Sequence, residues 1–296
     1  MMPRDTIYVT ILRSPLTLFE SIYTYLGLPK AFGNETHPLP MMAFLIDPFK
    51  YYSVSDVNMH RRYGRNPLLY DLGLDPEDMD SDFKIAHAIL EVQTRFHLVM
   101  LMEYFDESLI LLKDLLCWDF DDVAYLKLNA RETPHEITPY TKDMIEKWNG
   151  ADEHLYRYFN ITFWKRVRRY GLTRMKRDVR KLRELNERLT KRCVQERTSA
   201  DDIDTQESIW HPDGVDIVAY RLTDEAMNDR TCRNLIKPEK LFTDEIRARQ
   251  GDYYFPPLKP HQGIKWLLPK KHKQQKPNPF GEIFDRIKTV EKAPAR

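Results

Sequence analysis

The stretch VTILRSPLTLFES, Val9 to Ser21, decides what fold to expect of this chain. Val9, Ile11 and Leu12 make a brief apolar run cut short by a turn signal, the pattern of a covered parallel strand. Pro15 stands where a helix would begin, because the first turn has no use for its missing N–H. Leu16, Phe19, Tyr23 and Leu26 then recur every three or four residues, a helical stripe. The reading predicts Arg13 at the carboxyl end of a strand and Ser21 on the helix that follows. In open α/β sheets, that edge is where ligands bind.

Working outward, LPKAFGNETHPLPM (28–41) reads as a loop, from its Pro, Gly, Asn and Thr. In SDFKIAHAILEVQTRF, Ile85, Ile89, Val92 and Phe96 give a helix that Ser81 or Asp82 caps. HLVMLMEY (97–104) predicts a buried strand, FDESLILLKDLLCW (105–118) a helix and DVAYLKLNA (122–130) another strand. Strand, helix and strand in close order argue for parallel βαβ units in an α/β fold over roughly residues 6–130. The strand at Val9 is expected inside that sheet, with a gap or open edge where one neighbour is missing.

The second half, about 131–255, reads as mainly helical. Met175, Val179, Leu182, Leu185, Leu189 and Cys193 form one stripe on a long helix. Arg174, Lys176, Arg177, Arg180, Lys181 and Arg183 make the rest of that helix basic. A solvated face partly offset by Glu184 and Glu187 accounts for them, and an acidic membrane surface is the sharper alternative. From His261 to Arg296 the chain is rich in Pro and Lys (LLPKKHKQQKPNPF) and is expected to be a mobile tail.

Composition narrows the function classes. The 296 residues suffice for a real core, and a net charge of +1 gives no global field that would attract nucleic acid. Three cysteines are too few for a disulfide scaffold, and none forms a CxxC pair. The sequence as it stands shows neither an apolar run of membrane-spanning length nor a signal peptide. The nine histidines lie scattered, so no metal site is expected, and there is no GxSxG or GxxxxGK[ST] motif. Glu103, at the end of HLVMLMEY, stands at the ligand edge as a weak candidate for a general base. The competing reading makes it a helix-start carboxylate with Asp106 and Glu107, favoured by the helix dipole.

A guanidinium at a strand end and a hydroxyl on the next helix can grip one phosphate from two sides. TIYVTILRSPLTLFESIYTYL resembles the 3′-phosphate-binding segment of sulfotransferases that use 3′-phosphoadenosine 5′-phosphosulfate (PAPS). RNPLLYDLGLD, EYFDESLILLKDLLCWDFDDVAYLKLNAR and WNGADEHLYRYFNITFWKRV are similar to segments of the galactose-3-O-sulfotransferases, from about Thr6 to about Tyr254. The resemblance implies a sulfotransferase-like domain over residues 1–260, with a P-loop-like α/β core at about 6–130 followed by the helical region, and with Arg13 and Ser21 holding the donor's 3′-phosphate. It further implies PAPS as co-substrate with no metal, and transfer to the 3-hydroxyl of a terminal galactose on a glycolipid or glycan. The family's setting is the lumenal side of the Golgi membrane, reached through a membrane anchor. The sequons at Asn34 and Asn160 agree with a lumenal, glycosylated protein.

The sequence also departs from the pattern. In the family, an anchor, a strand and a loop rich in Lys, Gly, Ser and Thr precede this region, and that loop cradles the 5′-phosphosulfate. The sequence from Met1 onward starts after that point. Half a donor site is expected to bind weakly and to turn over slowly or not at all. Two functions stay open: a galactose 3-O-sulfotransferase, or a catalytically silent relative that binds only nucleotide or glycan.

Two further expectations follow the resemblance. In HRRYGRNP (60–67), Tyr63 and Arg65 are candidates for contacting the acceptor sugar, while Arg65 could equally pair with Asp71 or Asp75 as a structural bridge. In an oxidising lumen, Cys193 and Cys232 are the expected disulfide, and Cys117 in LLCW is expected to be a buried free thiol.

Overall fold

The computed structural model of the protein describes residues 5–52, 62–128, 137–203 and 217–254. The chain divides into two compact units, Met1–Thr243 and Asp244–Arg296. Of the second, the described part is the end of a helix, where Arg247 lies 3.6 Å from Asp244. The expected tail lies outside the described residues.

Strand β1 (Val9–Leu12) runs parallel to β2 (Leu98–Leu101), in register from Val9 opposite Leu98 to Leu12 opposite Leu101. Helices α1 (Pro15–Tyr25), α2 (Leu28–Phe32), α3 (Met41–Ile46), α4 (Pro48–Tyr52), α5 (Pro67–Asp71) and α6 (Asp82–Arg95) lie between the two strands. After β2 come α7 (Phe105–Leu116), α8 (Pro139–Trp148), α9 (Gly150–Tyr170) and α10 (Leu172–Cys193). All four residues of β2 are buried, as expected of a strand covered on both faces. Among the described residues β1 has β2 as its only neighbour, and Val9 and Ile11 are 37% and 38% exposed. Among the described residues it is thus an edge strand, where an interior position was expected.

Among the described residues, two of the four apolar clusters of this unit are large. One gathers Leu12 and β2 with Ile85, Ile89, Ile110, Leu155, Phe159, Phe163 and Leu182 from the long helices. The other is aromatic and joins α1–α4 to α8: Phe44 stacks on Phe32 at 4.7 Å and meets Trp148 edge-on at 5.6 Å. Helices α1–α10 each pack apolar side chains on one of these two cores, which is what stabilises helices of this length in water.

Several expectations need correcting. LPKAF is helix α2 rather than loop: Pro29 sits at its N-terminus, and the left-handed Gly27 (φ 67°) precedes it, so residues read as turn signals here begin a helix. The described part of DVAYLKLNA, residues 122–128, begins in a short 3-10 turn (Asp121–Val123) and holds no strand. Cys117 is exposed rather than buried, because it ends α7 in the left-handed conformation (φ 54°). An antiparallel pair, β3 (Val194–Ser199) with β4 (Val218–Leu222), follows α10 and was not expected from the polar VQERTS. Helix α11 (Arg230–Ile236) follows, and the structure links Cys193 to Cys232 with their Cα atoms 5.3 Å apart.

Candidate functional site

The site is built where β1 and β2 end. Arg13 follows the last residue of β1, and its Nε donates to Thr17 Oγ1 at 3.0 Å. Thr17 Oγ1 donates in turn to the carbonyl of Ser14 at 3.3 Å. Thr17 and Ser21 stand four residues apart on α1, one above the other on the same helix face. Arg13, Thr17 and Ser21 are all half-buried, so a guanidinium and two hydroxyls line one side of the first turns of α1.

EYFDES (Glu103–Ser108) wires this edge together. The side chain of buried Ser108 accepts from the N–H of Leu101 at 3.0 Å and donates to its carbonyl at 2.9 Å, completing the bonding of β2's last residue. Asp106 accepts from Tyr125 Oη at 2.9 Å and from Arg183 Nε at 2.7 Å, tying α7 to α10. Glu103 reaches the other way. Its Oε1 accepts from the backbone N–H of Ser14 at 2.7 Å, and its Oε2 accepts from Tyr156 Oη of α9 at 2.8 Å. Burial, and after it the Glu103 carboxylate, push the Tyr156 hydroxyl well above the ordinary phenol range, so Tyr156 is the donor. A cavity of about 460 Å³ opens one helical turn further on, lined by Glu107, Trp164, Met175, Lys176, Arg180 and Arg183.

The basic face of α10 is largely paired within the molecule. Arg174 and Arg177 lie against Asp178, Arg180 is 3.9 Å from Glu184 and Arg183 holds Asp106. Pairing of this kind favours the solvated-face reading over a membrane surface.

Two of the segments that carry the resemblance, RNPLLYD and WNGADEH, meet in a buried polar cluster that the sequence reading missed. Asn66, in the left-handed conformation (φ 48°), donates its N–H to Asn149 Oδ1 at 2.9 Å and accepts the N–H of Asp152 at 3.1 Å. Asp152 accepts the N–H groups of Leu68 and Leu69, each at 2.9 Å, and so caps α5. Burial pushes its carboxyl up to about 7 against the pull of those two N–H groups. Arg65 points into this region and pairs with Asp80, not with Asp71 or Asp75. Tyr63 packs edge-on against Tyr70 at 5.9 Å and is hydrogen-bonded to Asp71.

The sequons differ. Asn34 is exposed, and its Oδ1 accepts from the Thr36 N–H at 3.0 Å and the His37 N–H at 2.7 Å. Asn160 is half-buried in the middle of α9 and hydrogen-bonded to Tyr156. Among the described residues no group of three or more His, Cys, Asp or Glu is placed to hold a metal ion, and no helix is long and apolar enough to cross a membrane.

Comparison with known proteins settles the lineage. The profile of the family described as galactose-3-O-sulfotransferase matches residues 1–250. The chain belongs to this family. It is 40% identical to the galactosylceramide sulfotransferase of Homo sapiens over 258 residues, covering 84% of this chain and 60% of that protein. Galactose-3-O-sulfotransferase 3 of Mus musculus is 37% identical over 262 residues, covering 84% and 60%. Galactose-3-O-sulfotransferase 2 of Sus scrofa is 32% identical over 276 residues, covering 90% and 67%. The chain thus spans about 60% of the length of the first of these relatives. No solved structure matches it. A mostly helical chain with a small parallel sheet is compatible with the family's α/β fold.

Proposed function

We propose that this chain carries the nucleotide-3′-phosphate end of the donor site in a PAPS-dependent galactose 3-O-sulfotransferase acting in the Golgi lumen. The observation that supports this most directly is the line Arg13–Thr17–Ser21 at the carboxyl end of β1. A guanidinium offers a phosphate two parallel charge-assisted hydrogen bonds, and hydroxyls on the next helix offer short O–H···O⁻ bonds from the other side. The donor supplies the sulfuryl group. These residues would bind and orient its nucleotide end, so that binding energy spent away from the reacting sulfur holds that sulfur in position. For the acceptor, the cavity beside Glu107 offers a galactose the indole of Trp164 as an apolar face and a charged rim for its hydroxyls. Tyr63 is the other candidate on the acceptor side.

Calorimetry with adenosine 3′,5′-bisphosphate tests the reading. Arg13→Ala is expected to abolish binding and Ser21→Ala to weaken it, because the arginine carries the charge. Binding indifferent to Arg13 overturns the assignment. Sulfate transfer from labelled PAPS to galactosylceramide, measured on the longest form of the protein that can be expressed, tests the enzyme reading against the silent one.

A further inference from the structure

We infer that Glu103 and Tyr156 form a positioning clamp that fixes the β1–α1 turn and, with it, Arg13 for the donor's 3′-phosphate. The inference rests on the donor-site reading above. Ser14 occupies the N-cap position of α1, and its side chain makes no capping hydrogen bond. Its backbone N–H is taken instead by Glu103, which lies 89 residues further along the chain. The Ser14 peptide is therefore held from both sides, its carbonyl by the local Thr17 hydroxyl and its N–H by a carboxylate delivered by the end of β2. Arg13 is the residue immediately before that N–H, so any movement of the Ser14 peptide is passed straight to Arg13.

The other carboxylate oxygen is held just as firmly. Tyr156 donates to Oε2, and its raised pKa keeps the phenol protonated as a donor across the working pH range. Both oxygens of Glu103 are thus engaged, one on the phosphate-binding turn and one on α9. A carboxylate with both oxygens accepting from fixed donors is built to hold geometry, and this assigns Glu103 a positioning role rather than that of a general base. Three elements (β1–α1, β2–α7 and α9) converge on one side chain. Misplacing a charged binding group by an ångström is enough to lose much of its contribution.

The test separates positioning from simple folding. Calorimetry on the full chain compares adenosine 3′,5′-bisphosphate with adenosine 5′-phosphate, which lacks the 3′-phosphate. The wild type is expected to prefer the bisphosphate, and Glu103→Ala to reduce that preference at least tenfold while leaving binding of the monophosphate nearly unchanged. Glu103→Gln should keep the preference within about threefold, because an amide can accept the Ser14 N–H with its oxygen and donate to Tyr156 with its nitrogen. Tyr156→Phe, which leaves the Ser14 bond in place, should fall between the two and serves if Glu103→Ala does not fold. A bisphosphate preference that survives both Glu103→Ala and Tyr156→Phe, or an equal loss for both nucleotides, overturns the clamp. A wild type without any preference overturns the donor-site reading itself.

Discussion

Arg65 grips Asp80 with both arms of its guanidinium, Nη1 to Oδ2 at 3.0 Å and Nη2 to Oδ1 at 2.6 Å. The same group lies over two aromatic rings, 5.0 Å from the centroid of Trp148 and 5.4 Å from that of Phe49. Trp148 is itself fixed, donating Nε1–H to the carbonyl of Gly64 at 2.7 Å. Only 16% of the Arg65 side chain is exposed, against 70% for Asp80. Arg65 is the pin between the aromatic core and the loop before α6.

That arrangement predicts a loss of stability of about 2–4 kcal/mol for Arg65→Ala, from a charge-assisted hydrogen-bonded pair and cation–π contacts together. Arg65→Lys should recover less than half, since an ammonium can neither chelate two oxygens nor lie flat on a ring. Asp80→Asn should cost less than either, because Asp80 is mostly in water. Urea unfolding midpoints of the three variants check this. An unchanged midpoint with a raised acceptor KM would instead make Arg65 an acceptor ligand.

Asp152 gives a pH prediction. Its carboxyl titrates at about 7 in the folded protein, against 3.8 as the ordinary value. Between those values the folded chain keeps a proton that the unfolded chain has released, so each step up in pH favours unfolding. The effect begins near pH 4 and is complete above about pH 7. Asp152→Asn cannot titrate, and it leaves one of two buried N–H groups without an acceptor, at a cost of roughly 1–3 kcal/mol. The wild type should therefore melt higher than the variant at pH 4, with the gap in Tm narrowing as pH rises to 7. A gap that stays constant or widens over that range rules the titration out.

The Cys193–Cys232 bridge spans 39 residues and ties the end of α10 to α11, across the β3–β4 pair. Loop-closure entropy for that span corresponds to roughly 4 kcal/mol of stability. Cys193→Ser with Cys232→Ser should lower the unfolding free energy from urea titrations by about that amount, and dithiothreitol should do the same to the wild type. Both cysteines are fully buried, so reduction should be slow until denaturant is added. Cys117→Ser, at an exposed position, should change neither stability nor its response to dithiothreitol.

What the sequence made legible was local. The β1–α1 unit, β2, α6, α7 and α10 declare themselves by apolar periodicity and by Pro15 and Ser81, because burial of one face is what forms them. The wiring was not legible. Glu103 is readable as a carboxylate at a strand end, but its partners Ser14 and Tyr156 lie 89 and 53 residues away. The Asn66–Asn149–Asp152 cluster joins segments more than 80 residues apart and leaves no period to read. Gly27 and Pro29 show how the same residue types serve both to break a chain and to start a helix, so a loop was expected where α2 stands. Cys117 sits in apolar sequence yet faces water, because the helix ends on it.

The two sequons, at Asn34 and Asn160, differ in exposure. Asn34 lies on an exposed loop, and the hydroxyl of Thr36 donates to its Oδ1 at 2.8 Å, so the tripeptide is folded on itself at the surface. Asn160 has no such freedom: it is half-buried on α9 and bonded to the Tyr156 that holds Glu103, while Thr162 is turned back to the carbonyl of Tyr158 at 3.1 Å. A glycan there would have to leave the helix surface beside the β1–α1 turn that Glu103 holds. When the chain is expressed through a secretory host, folded protein should carry a glycan on Asn34 and none on Asn160. Peptide mass mapping after enzymatic deglycosylation in heavy-oxygen water reads the two positions separately, since each released site gains a labelled aspartate. Asn34→Gln should remove the glycan's mass and leave affinity for adenosine 3′,5′-bisphosphate unchanged. Finding Asn160 occupied in protein that still binds the bisphosphate would show that this face of α9 is open to solvent and does not pack as described.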